Sequence, residues 1–522
     1  MKKLFLTLAL IFAPSLVMAQ CTGVFPANTL CGNLSGSPQP PAAFSASSNI
    51  VGPGSSTVND IAVWNNTGGT QLKDVPFVTI CGSNIFAAAL VGCVPASGGG
   101  TANFLRADGT WNAPIGAVSS VFTRSGAVVA ANGDYNTGQV TYSPVGTGGV
   151  ATTAKAELDR TIWVNDYGAV CDGVTNDATA IQNALNRGMA SGLPVKFSGN
   201  CAINSALSIT SQVDFSGASS AGFQSAIIQN NVAVDIIDIN TATGQAIYLH
   251  DFFMRYASAA NATTAAIQVT SPSSENGGSK FERLTINGNV SIGFNFIRAS
   301  TWAVTNSTIA ARNQGFIIAN QNVVDSGDST ISGNIIISGG AGFTGIVYNS
   351  SGGLRVINNK INGAANITNG FQMALAPGAV TADLFITGNS IEGISATGTG
   401  IALARAGTTG AFGTVVITGN ELSGQVCVNV GTDPNGLWLN NLIVTGNNCL
   451  LQGTNPIAFS VDSTQGITMS SNFVQGSGST NKVYSIGTTG PTSTNCVIGM
   501  TPHLAGTFSA STAGACSTVA PF

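Results

Sequence analysis

Four phrases in this chain share one pattern: VITGN (416–420), FITGN (385–389), IVTGN (443–447) and TISGN (330–334). Each phrase places a β-rich segment before Gly-Asn, a pair that favours a turn. A period of a few tens of residues predicts a solenoid. Aligned on the final Asn, the pattern recurs at intervals of 25 to 31 residues, with anchors at Asp251, Glu282, Ser307, Asn334, Asn359, Asn389, Asn420, Asn447 and Asn472.

Apolar residues stand at fixed distances on both sides of the anchors. One lies three positions before most anchors and another two positions after, as Ile386 and Ile391 do around Asn389. This spacing predicts two short strands joined by a turn, whereas helical repeats need long amphipathic segments, which Gly, Asn and Thr interrupt here. We therefore predict an all-β fold, a single-stranded right-handed parallel β-helix of about ten coils stacked at roughly 4.8 Å. The anchor Asn side chains are predicted to form a structural ladder along the stack.

The charge composition excludes one class of partner. Charged residues make up 8% of the chain, with 18 basic and 22 acidic side chains, and no basic cluster follows the first residues. Nucleic-acid binding depends on a basic patch that neutralises phosphates, so nucleic acid is not an expected partner. Gly is abundant at 65 of 522 residues, which suits an elongated repeat fold.

The first residues and the cysteines both indicate export. Residues 1–19 have two Lys, an apolar run and a small-residue cleavage site, which together predict a signal peptide. No later stretch predicts a membrane span, so we expect a secreted, periplasmic or cell-surface protein. All ten Cys follow this leader and group as five consecutive pairs, as expected in an oxidising compartment. Sequence does not fix the connectivity, but Cys171 with Cys201 is the first pair we predict.

Residues 20–150 differ in composition from the rest, being rich in Gly, Ser, Thr, Asn and Pro. Three phrases stand out: SSTVNDIAVWNNTGGTQLKD (55–74), FLRADGTW (104–111) and SVFTRSGAVVAANGDYNTGQVTY (120–142). They resemble segments in the shafts of bacteriophage tail fibres and tail spikes, where strands and turns of three chains wrap together. This resemblance implies a β-rich, fibre-like N-terminal region and a homotrimer.

A helix is predicted just before the repeats begin. Asn176 or Asp177 can cap a helix to about Ala190, after which Val195 to Phe197 starts the first strand. Such a helix would cover the open end of the stack, whose unpaired strand edge invites aggregation. The phrases DYGAVCDG (166–173) and TNDATAIQNAL (175–185) resemble the pectate-lyase-like β-helix superfamily, which includes rhamnogalacturonase-type and polygalacturonase-type enzymes and phage tail spikes. The resemblance implies a β-helix over residues 160–500, followed by a tail segment at 501–522.

The sequence lacks the short acidic, His and Arg signatures of the hydrolases and lyases in that superfamily. Polysaccharide cleavage needs paired carboxyls, or a base with a cation, so catalytic candidates come from acids that stacking brings together. Asp251 and Glu282 share the anchor column in adjacent coils, and Arg255 and Arg283 follow them. The carboxylates could recruit calcium, or the arginines could neutralise them in an ordinary ion-paired edge. No cofactor other than calcium is suggested.

Four further residues are candidates for sugar binding: Arg312, the turn residues Asp325 and Asp328, and Trp302, whose ring could support a pyranose face. For Trp302, filling the core is the default expectation, and sugar binding is the alternative. The sequence thus predicts an exported β-helix that engages an extracellular or cell-surface polysaccharide, with cleavage by a lyase or glycoside hydrolase mechanism left open. The alternative is a non-catalytic adhesin or a tail-spike-like receptor-binding protein.

Overall fold

The computed structural model describes part of the N-terminal region and most of the repeats. The described residues are 29–32, 42–45, 60–65, 67, 71–76, 104–105, 110–112, 136–145, 147–218, 224–241, 245–270, 278–319, 329–350, 352–375, 383–405, 412–431, 438–476, 481–487, 495–499, 503–504 and 508–512. The chain divides into two compact units, Met1–Asp134 and Tyr135–Phe522. The predicted signal peptide lies outside the described residues.

The first unit contains short antiparallel strand pairs, consistent with the predicted string of strands and turns. Its strands are β1 (Thr29–Gly32), β2 (Ala42–Ser45), β3 (Asp60–Trp64), β4 (Leu72–Pro76), β5 (Phe104–Leu105) and β6 (Trp111–Asn112).

The second unit begins with a hairpin and two helices. These elements are β7 (Thr141–Tyr142), β8 (Thr152–Thr153), helix α1 (Ala154–Leu158), a 3₁₀ turn (Val164–Tyr167) and helix α2 (Ala178–Ser191). Helix α2 begins after Asp177 and ends before Gly192, close to the predicted bounds. The Asp177 carboxylate does not cap the helix; it accepts hydrogen bonds from the backbone N–H groups of Val170 and Cys171 instead.

The remaining strands form a right-handed parallel β-helix, as predicted. After the first coil, which has strands in sheets A and B, each coil contributes one strand to each of three sheets, A, B and C, in that order along the chain. Sheet A contains β9 (Ile162–Trp163), β11 (Val195–Phe197), β14 (Val213–Gly217), β17 (Ile247–His250), β20 (Ser279–Glu282), β23 (Trp302–Thr305), β26 (Ser329–Ser332), β29 (Leu354–Ile357), β32 (Leu384–Thr387), β35 (Phe412–Thr418), β38 (Leu439–Thr445), β41 (Thr464–Ser470) and β44 (Cys496–Ile498).

Sheet B follows sheet A across the Gly-Asn turn. It contains β10 (Asp172–Asn176), β12 (Gly199–Ile203), β15 (Ser225–Gln229), β18 (Phe253–Tyr256), β21 (Thr285–Ile286), β24 (Thr308–Ala311), β27 (Ile335–Ser338), β30 (Lys360–Asn362), β33 (Ser390–Ile391), β36 (Glu421–Gly424), β39 (Asn448–Leu451), β42 (Phe473–Gln475) and β45 (His503–Leu504).

Sheet C closes each coil. It contains β13 (Leu207–Ile209), β16 (Ile237–Asn240), β19 (Ala265–Thr270), β22 (Ile292–Ile297), β25 (Gln314–Ala319), β28 (Phe343–Asn349), β31 (Ile367–Leu375), β34 (Ile394–Arg405), β37 (Val426–Val430), β40 (Ile457–Val461), β43 (Asn481–Ile486) and β46 (Phe508–Thr512). Strands β45 and β46 lie within the segment predicted as a tail and extend sheets B and C.

The predicted Asn ladder forms at the turn between sheets A and B. Asn334, Asn359, Asn389, Asn420, Asn447 and Asn472 are almost completely buried. In each of the first five, the backbone N–H and the side-chain Nδ2 both donate to the Oδ1 of the next Asn, at 2.9–3.0 Å. Each Nδ2 also donates to a backbone carbonyl of the preceding coil. The amides are therefore structural, because their hydrogen-bonding groups are used within the stack.

A second column, of glycines, runs along sheet C. Gly293, Gly315, Gly345, Gly370 and Gly400 occupy equivalent positions in successive strands. A Cβ added at Gly315 would lie 2.6 Å from the carbonyl oxygen of Gly345 and 2.6 Å from Cγ2 of Ile336 in sheet B. We call this column the glycine seam; the backbone of sheet C approaches the Ile side chains of sheet B there because no side chain intervenes.

Helix α2 closes the N-terminal end of sheet C, where no strand of the described residues pairs with the outer edge of β13. The Gln182 side chain takes the place of that missing strand. Its Nε2 donates to the Ser208 carbonyl at 2.8 Å, and its Oε1 accepts from the Ser208 N–H at 2.8 Å. Ile181, Ala184 and Leu185 are buried on the helix face that covers the core. The predicted role of this helix as an end cap is therefore supported by specific contacts.

Two disulfides join pairs of described residues in the second unit. Cys171 is bonded to Cys201, as predicted, and Cys427 to Cys449, which fits the grouping of consecutive cysteines. The first bond ties the segment before α2 to strand β12. No helix in the described part of the chain is long and apolar enough to cross a bilayer.

Candidate functional site

A cluster of charged and aromatic side chains lies on the outer face of sheet A, near the N-terminal end of the stack. We call it the charged cluster and define it by Asp214 on β14, Tyr248 and His250 on β17, Glu282 on β20, and the turn residues Asp251 and Arg283. Asp214 pairs in register with Tyr248, and His250 with Glu282. Because alternate residues of a strand face outward, these side chains meet across three successive coils.

The cluster is joined by close polar contacts. His250 lies between two carboxylates, with Nδ1 2.6 Å from Asp251 Oδ2 and Nε2 3.1 Å from Asp214 Oδ1. Arg283 donates to both oxygens of Asp251 at 2.7 Å, from Nε and Nη2. Its Nη1 lies 2.6 Å from Glu282 Oε1. Such bidentate pairs are stronger and more directional than single ion pairs, so the cluster is held in one geometry.

The two aromatic rings of the cluster are also fixed. The Tyr248 and His250 rings stack with their centroids 4.1 Å apart, and the Tyr248 hydroxyl donates to Glu282 Oε2 at 2.9 Å. The most accessible members are Asp214 and Arg283, whose side chains are 43% and 42% exposed, whereas His250 is 16% exposed. The Asp214 carboxylate is thus the open edge of an otherwise saturated network.

These contacts shift the pKa values of the cluster in a consistent direction. The hydrogen bonds from Arg283 lower the pKa of Asp251 to about 2. Burial alone would lower the pKa of His250, but its hydrogen bonds with Asp214 and Asp251 outweigh burial and raise it above 6.5. Burial and the bond to Glu282 raise the pKa of Tyr248. Asp251 therefore stays ionised at neutral pH, and the two carboxylates stabilise the protonated form of His250 relative to that of a free imidazole.

The predicted stacking of Asp251 on Glu282 is wrong. Asp251 stacks on Arg283, and Glu282 stacks on His250. The ladder position in these two coils belongs to Phe252 and Leu284, both buried. Without an Asn to mark the turn, the sequence alignment is displaced by one residue at Asp251 and by two at Glu282, and each displacement changes which side chains meet.

The other predicted site residues do not join the charged cluster. Arg255 points outward from sheet B, and within the described residues it makes no ion pair. Arg312 lies at the corner between sheets B and C, where Nη2 donates to the Ala260 carbonyl. Asp325 and Asp328 lie outside the described residues.

Trp302, predicted as an exposed platform for a sugar, is 2% exposed. Its ring stacks on Phe296 with centroids 3.7 Å apart, and its Nε1 donates to the Ala299 carbonyl at 3.1 Å. Trp302 is therefore part of the core, because two residues along the strand it shares the inward face with the buried Val304.

Asp214, Tyr248 and His250 were not among the predicted site residues. One signal was available in the backbone requirements of the turn. Asp251 and Arg283 have φ values of 63° and 50°, at a position filled by Gly333, Gly388 and Gly419 in later coils. Charged residues at a left-handed position suited to Gly carry a conformational cost, which marks the two coils as unusual.

The residues present do not fit a calcium ion between Asp251 and Glu282. The Arg283 guanidinium lies between the two carboxylates and bonds to both, so their oxygens are already used by a cation. The alternative that an arginine neutralises them describes the geometry better. Elsewhere among the described residues, the one group with metal-ligand spacing is Cys171, Asp177 and Cys201, where the two sulfurs form a disulfide.

The stability of the cluster is expected to depend on pH through His250. Since the folded pKa lies above the unfolded value of 6.5, protonation of His250 stabilises the fold fully below pH 6.5, and this contribution is lost as pH rises through the folded pKa. We expect the ring protons of His250 to titrate above pH 6.5 in NMR spectra. The chain has only two His, so a His503→Gln variant assigns the signals. A midpoint below 6.5 would contradict the bonded geometry.

Two solved structures of one phage tailspike protein support the fold. The tailspike protein of Escherichia coli bacteriophage HK620, as a double mutant, has a TM-score of 0.52 at 13% identity, with 71% of each chain covered. A second double mutant of that protein, in complex with a pentasaccharide, has a TM-score of 0.51 at 13% identity and the same coverage. The A-module of a mannuronan C-5 epimerase from Azotobacter vinelandii gives 0.47 at 17% identity, with 69% of this chain and 100% of the module covered. No protein-family model and no curated sequence matches the chain.

Proposed function

We propose that this protein binds a polysaccharide on the outer face of sheet A, with the charged cluster as the point of recognition. The observation that carries the proposal is the fixed geometry of six polar groups supplied by three coils, which leaves the Asp214 carboxylate open beside the Tyr248 and His250 rings. Carboxylates accept hydrogen bonds from sugar hydroxyls, and preorganised groups bind with a smaller entropic cost. The pentasaccharide bound by a tailspike of the same fold supports this class of ligand.

The geometry favours recognition over cleavage. A general acid needs a pKa near the working pH, but the pKa of Asp251 is about 2 and both of its oxygens accept hydrogen bonds from Arg283. Glu282 is bonded to Arg283 and Tyr248. Arg283 has its Nε, Nη1 and Nη2 directed at these acids, so it is also poorly placed to neutralise a uronate. The two predicted catalytic carboxyls therefore serve better as structural members of a binding surface.

Export and a trimeric assembly belong to the same proposal. The two disulfides are typical of a protein that folds in an oxidising compartment, which suits the predicted secreted or cell-surface location. The phrases that resemble tail-fibre shafts support a homotrimer built through the N-terminal region. Together they describe a receptor-binding or adhesive protein that presents sheet A to a cell-surface glycan.

The proposal predicts a specific loss of binding in Asp214→Asn. A hydrogen bond to a charged group contributes about 1.5–3 kcal/mol, so we expect an affinity loss of roughly tenfold to a hundredfold. The measurement is calorimetry or a glycan array with the purified chain, using acidic and neutral polysaccharides. The same mixtures are assayed for unsaturated sugars by absorbance and for new reducing ends.

The matched control is Glu392→Gln on the other side of the solenoid, since Glu392 pairs with Lys360 near sheet B at 3.7 Å and is 43% exposed. It removes one exposed carboxylate without touching sheet A and is expected to leave affinity unchanged. Equal losses in both variants would show that net charge matters and the cluster does not. Release of unsaturated sugars or reducing ends would show that the protein cleaves its ligand.

A further inference from the structure

Sheet A becomes wider toward its C-terminal end. The sheet A strands β20, β23, β26, β29 and β32 have four residues each. The later strands β35, β38 and β41 have seven each. The extra residues are 412–414, 439–441 and 464–466, at the start of each strand. Phe412, Leu439 and Thr464 are in register and buried, so these residues form an additional strip of sheet packed on the core.

The outer side of this strip holds a cavity of about 650 Å³. Ile443 forms an apolar wall of this cavity. Its other side chains are polar but uncharged: Thr414, Asn440, Asn441, Gln465, Thr468 and Asn495. We call it the amide groove. Gly466 forms the floor, because a Cβ there would lie 2.9 Å from Asn441 Oδ1 and 3.0 Å from the Asn440 carbonyl oxygen. The missing side chain in the column between Asn441 and Asn495 opens the groove.

The Asn side chains of the amide groove differ from those of the ladder. Ladder amides are buried and fully hydrogen-bonded, as described above. Within the described part of the chain, the side chains of Asn440, Asn441 and Asn495 make no hydrogen bond to protein. A carboxamide offers two donors and an acceptor, so three of them side by side present a dense array of both kinds.

We propose that the amide groove binds a neutral hexose segment of a polysaccharide. Sugar hydroxyls both donate and accept, which matches carboxamides, and the C–H face of a pyranose can lie on Ile443. The absence of a charged side chain among the described lining residues disfavours uronate, sulfate or phosphate groups, whose charge would be desolvated without a partner.

The amide groove is separate from the charged cluster. Strands β17 and β38 are seven positions apart in the order of sheet A, which corresponds to a distance on the order of 30 Å. The inference therefore does not depend on the proposed role of the charged cluster, although one long polysaccharide could contact both. Two sites on one ligand raise the overall affinity through effective concentration, provided that the ligand spans them.

The test is calorimetry or saturation-transfer NMR with the full chain and four neutral probes: maltohexaose, cellohexaose, laminarihexaose and mannohexaose. Hexagalacturonate serves as the acidic probe. We expect at least one neutral hexaose to bind and Asn441→Leu to weaken it at least tenfold, because the substitution keeps the volume and removes the carboxamide. Gly466→Ala, which fills the floor, is expected to weaken it as well.

The control is Asn448→Leu, which replaces an exposed Asn of the same coil on sheet B. It should leave binding of the neutral hexaose unchanged, as should Glu392→Gln near sheet B. The proposal is overturned if no neutral hexaose binds, if hexagalacturonate binds in the groove, or if Asn441→Leu and Gly466→Ala have no effect. Binding that is lost in Asp214→Asn and kept in Asn441→Leu would support the charged cluster and reject the amide groove.

Discussion

Replacing Asn389 with alanine is expected to destabilise the central coils severely. The Asn389 Oδ1 accepts from the backbone N–H of Asn359 at 2.9 Å and from its Nδ2 at 3.0 Å, and the Asn389 Nδ2 donates to the Val356 carbonyl at 2.8 Å. All three partners are buried, so alanine leaves two donors and one acceptor without their bonds. Since each unsatisfied buried group costs about 1–3 kcal/mol, the three together should cost about 3–9 kcal/mol.

Thermal unfolding and hydrogen exchange together measure this effect. The melting temperature of Asn389→Ala should fall by several degrees, and the Asn359 amide should lose protection against exchange. The control is Asn362→Ala, which removes an exposed carboxamide from β30 in a neighbouring coil and should change neither quantity. If both variants melt with the parent protein, the ladder amides do not stabilise the stack.

The substitution Gly315→Ala is expected to have an effect of similar size for a different reason. A Cβ at this position would lie 2.6 Å from both the Gly345 carbonyl oxygen and Cγ2 of Ile336, well inside van der Waals contact. The oxygen belongs to backbone and the Ile lies in a packed core, so sheets B and C must separate locally. Overpacking of this kind costs about 1–3 kcal/mol, and more where backbone has to move.

The matched control for the glycine seam is Gly288→Ala, since a Cβ at Gly288 meets no atom within 4 Å. Both variants add one methyl group to a glycine of the solenoid, and only the seam variant should lower the melting temperature. An unchanged melting temperature in Gly315→Ala would mean that the sheets have room to part. When Gly315 and Gly345 are both substituted, the loss of stability should differ from the sum of the two single losses. The two residues are in direct contact, so their effects couple.

The fold was predictable because its signal is repeated. Each copy of the Gly-Asn phrase places a turn and two inward-facing positions, so an error in one copy is corrected by the others. Helix α2 and the bond between Cys171 and Cys201 were also predictable from local sequence. The role of Gln182 was not, because that side chain meets Ser208 only after the first coil has closed.

The candidate site was predictable only in part, and the reason is its place in the stack. It lies in the coils where the ladder position holds Phe252 and Leu284, so the sequence does not mark the turn there. Asp251, Glu282 and Arg283 were candidates because their coils are adjacent, but Asp214 comes from a coil with no phrase to align. Trp302 has the default core placement, as its two-residue spacing from the buried Val304 requires.

The amide groove depends on strand length, which the repeat pattern does not encode. Its added residues begin at Phe412 and Leu439. Nothing in the sequence indicates that these apolar residues belong to the strand that continues after them. Their pairing is visible only once neighbouring coils are in register. Sites built from the ends of several strands are therefore the part of a solenoid that sequence predicts least.

The corners of each coil differ in how much their length varies. From His250 to Phe473 every strand of sheet A is separated from its sheet B partner by two residues, whereas the connections from sheet C back to sheet A run from the short link Val461–Thr464 to the much longer Ala319–Ser329. The first corner has a constant length, and the last is a margin of variable length beside the outer face of sheet A, where we propose that a polysaccharide binds. Mutation and recombination can thus diversify that margin, and a protein engineer can graft peptides into it. The stacked strands of the solenoid keep their dimensions in both cases.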